Sequence, residues 1–218
     1  VKEGRRIYDN IRKFVKYVMT GNSGEIWTVA LVPLIGMPIP LLPIQILWIN
    51  LITDGLPGLA MASEPVEDNI LQRPPRKPDE SIFAGGMGYH ILWVGLLIGA
   101  VCIFTEAWAL YSQNPKWQTM VFTVLGISQM GHAMAIRSDF KSLFQLGVFG
   151  NKQLVGAVLL TLGLQIAVIY VPFLQDIFRT QSLSISELAF CIGLSSITFW
   201  AVELEKWIRT KRLSKKVK

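Results

Sequence analysis

Long apolar stretches separated by short polar segments dominate this sequence. A helix needs about 20 mostly apolar residues to cross the hydrocarbon core of a bilayer. In lipid, only helices and closed barrels satisfy their own backbone, and these stretches are too long and continuous for barrel strands. The pattern therefore predicts an all-α, polytopic membrane helix bundle with six transmembrane helices, at about residues 14–35, 43–63, 86–110, 118–136, 153–174 and 186–207.

A polar, amphipathic segment precedes the first predicted span. Residues 3–17 have a helical pattern but are too polar for lipid. We expect the first helix to begin early and to project from the membrane as a stalk, residues 1–13. Because the chain starts inside this charged segment, without Met, we also expect that an N-terminal part of the protein is missing.

The distribution of Lys and Arg orients the predicted spans. Nineteen of the 21 basic residues fall on one side if both termini are cytoplasmic, which leaves only Lys116 and Arg179 outside. The positive-inside rule favours this topology. The basic tail, residues 208–218, is interpreted as a topology anchor, and acidic lipid is its alternative partner. The basic residues sit at span ends and form no separate domain, so no nucleic-acid partner is expected.

Composition agrees with a membrane protein. Hydrophobic residues make up 51% of the 218-residue chain, its mean hydropathy is +0.43 and only 17% of its residues are charged, against about 25% in soluble domains. Cys102 and Cys191 lie in apolar runs and are predicted to be buried thiols.

The connections between spans differ in length. Three short outer connections, about 36–42, 111–117 and 175–185, predict three helical hairpins in chain order. The longest loop, Glu64 to about Gly85, contains the proline-rich segment 72–78. That segment can dock on a cytoplasmic domain or serve as a stiff connector, and the residues do not separate these interpretations.

Three acidic residues fall inside predicted spans: Glu25, Asp54 and Glu106. Each costs roughly 2.5–3.5 kcal/mol at the centre of a membrane helix. Glu106 lies near the outer end of its helix, where we expect it to reach water. Glu25 and Asp54 therefore mark the candidate functional site.

The second span carries a concentrated polar motif. Asn50, Thr53 and Asp54 stand at i, i+3 and i+4, on one helical face. Pro57 lacks an N–H and clashes with the carbonyl of Thr53, so the helix should loosen beside the carboxylate. Broken helices at mid-membrane bind ions in transporters.

The first span offers matching ligands. Asn22 and Glu25 share one face of a helix that should meet the second span. Carboxylate, amide and hydroxyl oxygens suit Ca²⁺, and the lack of a nearby Cys or His pair argues against Cu⁺ or Zn²⁺. Interhelical packing by polar residues is the structural alternative for this cluster.

Three further polar side chains lie in the third and fourth spans. Gln129 can add an oxygen ligand or form an interhelical hydrogen bond. His132 is predicted to be a hydrogen-bonded packing residue, and His90 to be interfacial. The small-residue motif from Gly95 to Gly99 predicts close helix packing, with Gly24 as the partner.

Several segments resemble P-type cation-transporting ATPases of the calcium-pump type. The resemblance covers essentially the whole chain and is most specific up to about residue 82. It implies the last six of ten transmembrane helices, the C-terminal cation-transporting ATPase region, residues 1–218. The segments that carry it are Gly4–Ile11, Gly21–Glu25, Leu47–Pro57 and Gln72–Arg76.

The resemblance implies roles for these residues. Asn22 and Glu25 match ligands of the family's fifth helix, and Asn50, Thr53 and Asp54 match ligands of its sixth. Gln129 stands where the sarcoplasmic reticulum pump carries Glu, so the resemblance does not decide whether one or two Ca²⁺ are transported per cycle. The short loop before the fourth span is similar to bacterial pumps, which implies the bacterial plasma membrane.

The chain has no DKTG phosphorylation motif and no Gly-rich nucleotide loop. The resemblance implies that Mg²⁺ and ATP act only through cytoplasmic domains outside this chain, and that those domains and four earlier helices are its partners, with membrane lipid. The chain alone is expected to be inactive. Alternatives are a pump for Mn²⁺, Na⁺ or Mg²⁺, a standalone six-helix carrier or channel, and a regulatory or assembly module.

Overall fold

A computed structural model describes residues 1–66, 70–71 and 80–216, with side chains up to residue 212 at the carboxyl end. The predicted proline-rich segment 72–78 lies outside the described residues. Throughout the described part the regular structure is helical. Its elements are α1 (Lys2–Leu34), α2 (Pro43–Trp48), a π-helical segment (Ile49–Thr53), α3 (Gly55–Met61), α4 (Met87–Tyr111), α5 (Trp117–Ala135), α6 (Leu143–Leu146), a 3₁₀ turn (Val148–Gly150), α7 (Lys152–Tyr170), α8 (Pro172–Phe178) and α9 (Ile185–Lys216).

Four of these helical stretches are long and apolar enough to cross a membrane, in the part of the chain that the structure describes. They are Pro43–Met61, Met87–Tyr111, Lys152–Tyr170 and Ile185–Arg212. The other two predicted spans are helical, but α1 carries a charged first half and α5 many polar side chains. The all-helical fold is confirmed, while the count of six spans and the cytoplasmic termini stay predictions.

The predicted stalk and first span form one continuous helix. The 33 residues of α1 extend about 50 Å at 1.5 Å per residue. The polar half of α1 is anchored to the end of α3, because Asn10 Nδ2 donates hydrogen bonds of 3.0 Å to the carbonyl oxygens of Ala62 and Glu64. A movement of this half of α1 is therefore coupled directly to α3.

The second predicted span is interrupted where its sequence predicts loosening. Between α2 and α3 the backbone adopts a π-helical segment, in which the Asp54 N–H donates to the carbonyl of Ile49 at 2.8 Å. Proline at position 57 has no N–H for the Thr53 carbonyl, and the wider π turn accommodates the missing bond. Such bulges occur frequently at functional sites.

Glycines allow α1 and α4 to cross at close range. A methyl group added to Gly24 would lie 2.8 Å from Ile98 Cγ2, and one added to Gly99 would lie 2.7 Å from Trp27 Cβ. One added to Gly95 would lie 3.2 Å from the Gly24 backbone nitrogen. The predicted pairing of Gly24 with the Gly95–Gly99 motif is confirmed.

The central helix of the bundle is α5, which packs against α4, α7 and α9. Its side chains Met120, Phe122 and Leu125 are fully buried. The prediction of three sequential hairpins is wrong for the last pair. There α7 packs on α3 and α5, whereas α9 packs on α5 and α4, because the apolar faces of both helices find more surface on α5 than on each other.

A buried ionic cluster fixes the exit of α3. Arg137 Nε donates to Glu64 Oε1 at 3.0 Å, and Asn151 Nδ2 donates to Glu64 Oε2 at 2.7 Å. The side chains of Glu64 and Arg137 are 5% and 2% exposed. Both cysteines are buried free thiols, as predicted.

Candidate cation-binding site

Two carboxylates lie inside the bundle on neighbouring elements. Glu25 of α1 is 6% exposed, and Asp54, between the π-helical segment and α3, is 2% exposed. Neither forms an ion pair with Lys or Arg within the described part of the chain. Carboxylates buried in this way need a cation or a proton to offset the cost of their charge.

Two amides converge on Glu25 from different helices. Asn50 Nδ2, in the π-helical segment, donates to Glu25 Oε2 at 3.0 Å. Gln129 Nε2, in α5, donates to Glu25 Oε1 at 3.2 Å. The structure therefore brings together three of the residues selected from the sequence. Gln129 forms an interhelical hydrogen bond, and its role as an ion ligand stays a prediction.

Gly21 places Asp54 in the same cluster. A methyl group added to Gly21 would lie 2.9 Å from Gln129 Nε2, 3.1 Å from Asp54 Oδ1 and 3.2 Å from Asp54 Oδ2. The missing side chain thus makes room for an amide and a carboxylate to face the same point on α1. One turn further along α1 stands Glu25.

Several oxygens in this region have no hydrogen-bond partner among the described residues, although they are buried. Most protein structures satisfy such atoms, so a group of them indicates a place that can receive a ligand. They are both carboxylate oxygens of Asp54, the Thr53 hydroxyl, the Ser128 hydroxyl and Gln129 Oε1.

Tyr17 secures the broken helix from the side of α1. Its hydroxyl, in a fully buried side chain, donates to the carbonyl oxygen of Thr53 at 2.7 Å. This is the carbonyl that Pro57 leaves without a helical partner. The Tyr17 hydroxyl therefore adds a side-chain bond to the backbone bonds of the π-helical segment.

Asn22 and Asn50 lie at the margin of the cluster. Asn22 is half-buried, and in the described structure its side chain makes none of the hydrogen bonds that join the other members. Asn50 is exposed on the bundle surface although its amide reaches Glu25. The cluster thus opens toward the side of the bundle on which Asn50 lies.

The chemistry of the cluster is that of hard oxygen donors. Within the described residues, no group of three or more His, Cys, Asp or Glu side chains is placed to hold a metal ion. Any ion at this point would rely on two carboxylates together with amide, hydroxyl and carbonyl oxygens, which is the donor set of alkali and alkaline-earth cations.

Two polar residues lie in the bundle interior. His90 is 2% exposed and lies between Glu205 and His132, and its position at the membrane interface stays a prediction. Glu106 does not reach water, because α4 turns it toward the bundle interior, where it is fully buried. The prediction that His132 is a hydrogen-bonded packing residue is confirmed.

Sequence reasoning missed Tyr17, Gly21 and Glu205. The first two had a detectable signal, because positions 17, 21 and 25 recur at i, i+4 and i+8 and so share one face of α1. Tyr17 lies at the end of the polar segment 3–17, and Gly21 has no side chain that could mark it as functional. Glu205 had no such signal, because only the packing of α9 on α4 brings it to His90.

The fold and the site define a class of protein: a multi-pass helical membrane protein that carries a buried, oxygen-rich cluster at a helix break. The family described as "Cation transporting ATPase, C-terminus" matches residues 38–208. The chain belongs to this family, and it is a C-terminal region of the calcium-pump type.

The relatives point to the same type of pump. The chain is 41% identical over 201 residues to a calcium-transporting ATPase of Bacillus subtilis. The aligned region covers 90% of this chain and 22% of that protein. It is 31% identical over 241 residues to the endoplasmic reticulum calcium ATPase srcA of Aspergillus fumigatus. That alignment covers 95% of this chain and 25% of the fungal protein.

A human relative extends this range. Calcium-transporting ATPase type 2C member 1 of Homo sapiens is 35% identical over 214 residues, with 97% of this chain and 23% of that protein covered. The chain therefore spans about a quarter of the length of these relatives. They include bacterial, fungal and human proteins, so the bacterial plasma membrane stays a prediction.

Proposed function

We propose that this chain is the transmembrane, ion-binding half of an ATP-driven P-type pump that exports Ca²⁺ from the cytoplasm. The observation that carries the proposal is the convergence of Glu25, Asn50 and Gln129, with Asp54 beside them, at a π-helical break. Relatives whose names specify calcium transport support the choice of cargo.

The proposed ligands combine the convergent group with its neighbours. Glu25 and Asp54 supply negative charge. When an ion binds the carboxylate oxygens of Glu25, the amides of Asn50 and Gln129 no longer donate to them and can turn their own oxygens toward the ion. Ca²⁺ takes six to eight oxygens, and the broken helix can supply a backbone carbonyl. The full proposed set is Asn22, Glu25, Asn50, Thr53, Asp54 and Gln129.

The exposed side of Asn50 has a natural interpretation under this proposal. The remaining helices of the pump would cover it and complete the coordination from the other side. ATP hydrolysis with Mg²⁺, and phosphorylation, would take place in domains outside this chain. The long helix α1, bonded to the end of α3 through Asn10, would transmit their movement to the site.

The ion is released when the site loses affinity for it. Protonation of Glu25 would remove one of two negative charges and so favour outward release. Glu25→Gln imitates the protonated carboxyl, and we expect it to weaken equilibrium Ca²⁺ binding of the full-length pump by at least about tenfold, or 1.4 kcal/mol. Unchanged affinity would remove Glu25 from the ligand set.

The decisive test compares carboxylates inside and outside the cluster. In the full-length pump, Asp54→Asn should abolish Ca²⁺-stimulated ATP hydrolysis. Glu106→Gln is the matched control, because Glu106 is equally buried and has no hydrogen-bond partner among the described residues, yet lies outside the cluster. It should keep the stimulation.

The outcomes separate the alternatives. Stimulation by Mn²⁺, Na⁺ or Mg²⁺ in place of Ca²⁺ would keep the site and change the cargo. Ion flux through the isolated chain in liposomes without ATP would favour a standalone carrier or channel. An Asp54→Asn pump that behaves like the unmodified one under every ion would show that the cluster serves packing alone.

A further inference from the structure

A chain of hydrogen bonds runs through the bundle beside the proposed ion site. His90 Nδ1 lies 2.7 Å from Glu205 Oε2, and His90 Nε2 lies 3.1 Å from His132 Nε2. The three residues belong to α4, α9 and α5. His90 and His132 are 2% and 0% exposed, so the middle of this chain is shielded from solvent.

The tautomers of both imidazoles follow from the geometry. The Glu205 carboxylate accepts the hydrogen bond from His90 Nδ1–H, so the Nε2 atom of neutral His90 carries a lone pair. That lone pair accepts from His132 Nε2–H, which leaves the lone pair of His132 on Nδ1. This Nδ1 atom is buried and has no hydrogen-bond partner in the described part of the chain. The chain of hydrogen bonds therefore ends in an atom that can accept a proton.

The two ends of the chain face different surroundings. Glu205 is 25% exposed and lines a surface cleft, together with His90, Lys16, Asp139, Lys206 and Arg209. At the other end, His132 lies one helical turn beyond Gln129. Its ring stacks on Tyr17, with centroids 6.0 Å apart, and Tyr17 holds the broken helix through Thr53. One end therefore lies at a surface cleft, and the other lies against Tyr17, the side chain that holds the broken helix.

We propose that Glu205, His90 and His132 form a proton relay between the cation site and the basic end of the bundle. The inference rests on the proposed function and on the geometry of the hydrogen-bond chain. That chain joins a surface cleft to His132 Nδ1, a buried atom with no hydrogen-bond partner among the described residues, one helical turn from Gln129. In the topology predicted from Lys and Arg, the relay opens to the cytoplasm. None of its three members is a proposed cation ligand.

The transfer balances atom by atom. A cation displaces a proton from a site carboxyl, and a water molecule carries that proton to His132 Nδ1. The Nε2 proton of His132 passes to His90 Nε2, the Nδ1 proton of His90 passes to Glu205, and the Glu205 carboxyl releases it to water in the cleft. Both imidazoles end in the opposite tautomer, and a proton that passes back from Glu205 to the site carboxyl when the cation leaves restores them.

The charged groups around the relay favour release at the Glu205 end. Lys16 comes from α1, Asp139 from the segment after α5, and Lys206 and Arg209 from α9. Tyr17 of α1 also packs on the pair, against the ring of His132. Three of the four charged neighbours are cations, and they oppose the retention of an extra proton on either imidazole.

Glu205→Gln in the full-length pump tests the relay. Glutamine keeps an oxygen that accepts from His90 Nδ1–H, but it cannot take up the proton. Glu203→Gln is the matched control, because Glu203 lies two residues away on α9 and pairs with Lys206 outside the relay. The readouts are the rate of proton release after Ca²⁺ addition, followed with a pH-sensitive dye, and equilibrium binding of radioactive Ca²⁺.

We expect Glu205→Gln to slow proton release by at least about tenfold, since positioned proton-transfer groups contribute 10²–10⁴-fold. Equilibrium Ca²⁺ binding should stay within about threefold of the unmodified value, or roughly 0.7 kcal/mol. His132→Gln should slow release in the same way, and Glu203→Gln should not slow it.

Proton release at the unmodified rate from Glu205→Gln would overturn the relay and leave the proposed function standing. If the unmodified pump releases no protons on addition of Ca²⁺, Mn²⁺ or Na⁺, and binds none of these ions, the proposed function is overturned and the relay with it. A structural role for the three residues predicts no change for Glu205→Gln, because its hydrogen bond is retained.

Discussion

At the scale of single residues, the site depends as much on a missing side chain as on those present. Gly21 leaves the space in which Gln129 and Asp54 approach α1. Nothing in its own chemistry marks it as functional. Its role follows from its position one turn before Glu25, where any Cβ would enter the oxygen cluster.

Gly21→Ala is therefore expected to weaken cation binding without removing any ligand. The added methyl would lie 2.9 Å from Gln129 Nε2 and 3.1 Å from Asp54 Oδ1, and overpacking of this kind costs about 1–3 kcal/mol. We expect a loss of Ca²⁺ affinity of at least fivefold, which is about 1 kcal/mol, measured by equilibrium binding to the full-length pump. Gly163→Ala, where the methyl meets open space, is the control and should bind normally.

A second residue-scale feature is the ion pair that joins α1 to the segment after α5. Lys16 Nζ lies 2.8 Å from Asp139 Oδ1. Burial would raise the pKa of the Asp139 carboxyl, but the charge of Lys16, its hydrogen bond and the charges of Arg209 and Lys13 lower it below its usual range. The Asp139 side chain is 45% exposed, so solvent screens the pair.

We expect Asp139→Asn to lower the free energy of unfolding by at most about 1 kcal/mol. A carboxyl with a lowered pKa stabilises the fold above its unfolded pKa of about 4 and loses this effect as the pH falls. The difference in melting temperature between the two proteins in detergent should thus be present at pH 7 and shrink below about pH 4. A difference that grows at low pH would contradict the assignment.

At the scale of elements, the crossing of α1 and α4 depends on three glycines. Membrane helices associate through close packing of small residues, since lipid tails supply no hydrophobic driving force between them. Any side chain at Gly95 would meet Ser23 and the backbone of Gly24. Because α1 carries Tyr17, Gly21 and Glu25, this crossing also sets the position of the site.

Gly95→Ala should therefore destabilise the bundle by about 1–3 kcal/mol and lower the melting temperature in detergent. Gly156→Ala on α7, where a methyl group meets nothing within 4 Å, is the matched glycine substitution and should leave the melting temperature unchanged. Equal effects of the two substitutions would show that helix propensity and not the crossing is being measured.

The break in the second span is the other element-scale feature. Pro57 removes a donor, the π-helical segment absorbs the change, and the Tyr17 hydroxyl satisfies the Thr53 carbonyl. The local sequence predicts the break. It does not predict which group would satisfy the freed carbonyl, because Tyr17 comes from a different helix.

At the scale of the whole molecule, the arrangement in the membrane is the main open prediction. Both cysteines are buried, so a cysteine introduced at an exposed site can be labelled specifically. Ser112 and Ser81 are both exposed and lie on opposite sides of the membrane in the predicted topology. The two positions therefore report on orientation.

Ser112→Cys should react with a membrane-impermeant maleimide added to intact cells, and Ser81→Cys should react only after the membrane is opened. The measurement uses the full-length pump with its cysteines outside this chain replaced. The reverse labelling pattern would invert the topology, and labelling of both positions in intact cells would exclude a six-span arrangement.

The sequence by itself determined the helical class, the apolar stretches, the two central carboxylates, the break at Pro57 and the small-residue face of α4. Each of these follows from local periodicity, from the cost of a charge in lipid or from the chemistry of one residue. The tertiary structure decided which side chains meet: the amides of Asn50 and Gln129 on Glu25, Gly21 against Asp54, and His90 between Glu205 and His132. These contacts join residues up to 115 positions apart, and no local pattern encodes them, because they depend on how whole helices pack around α5.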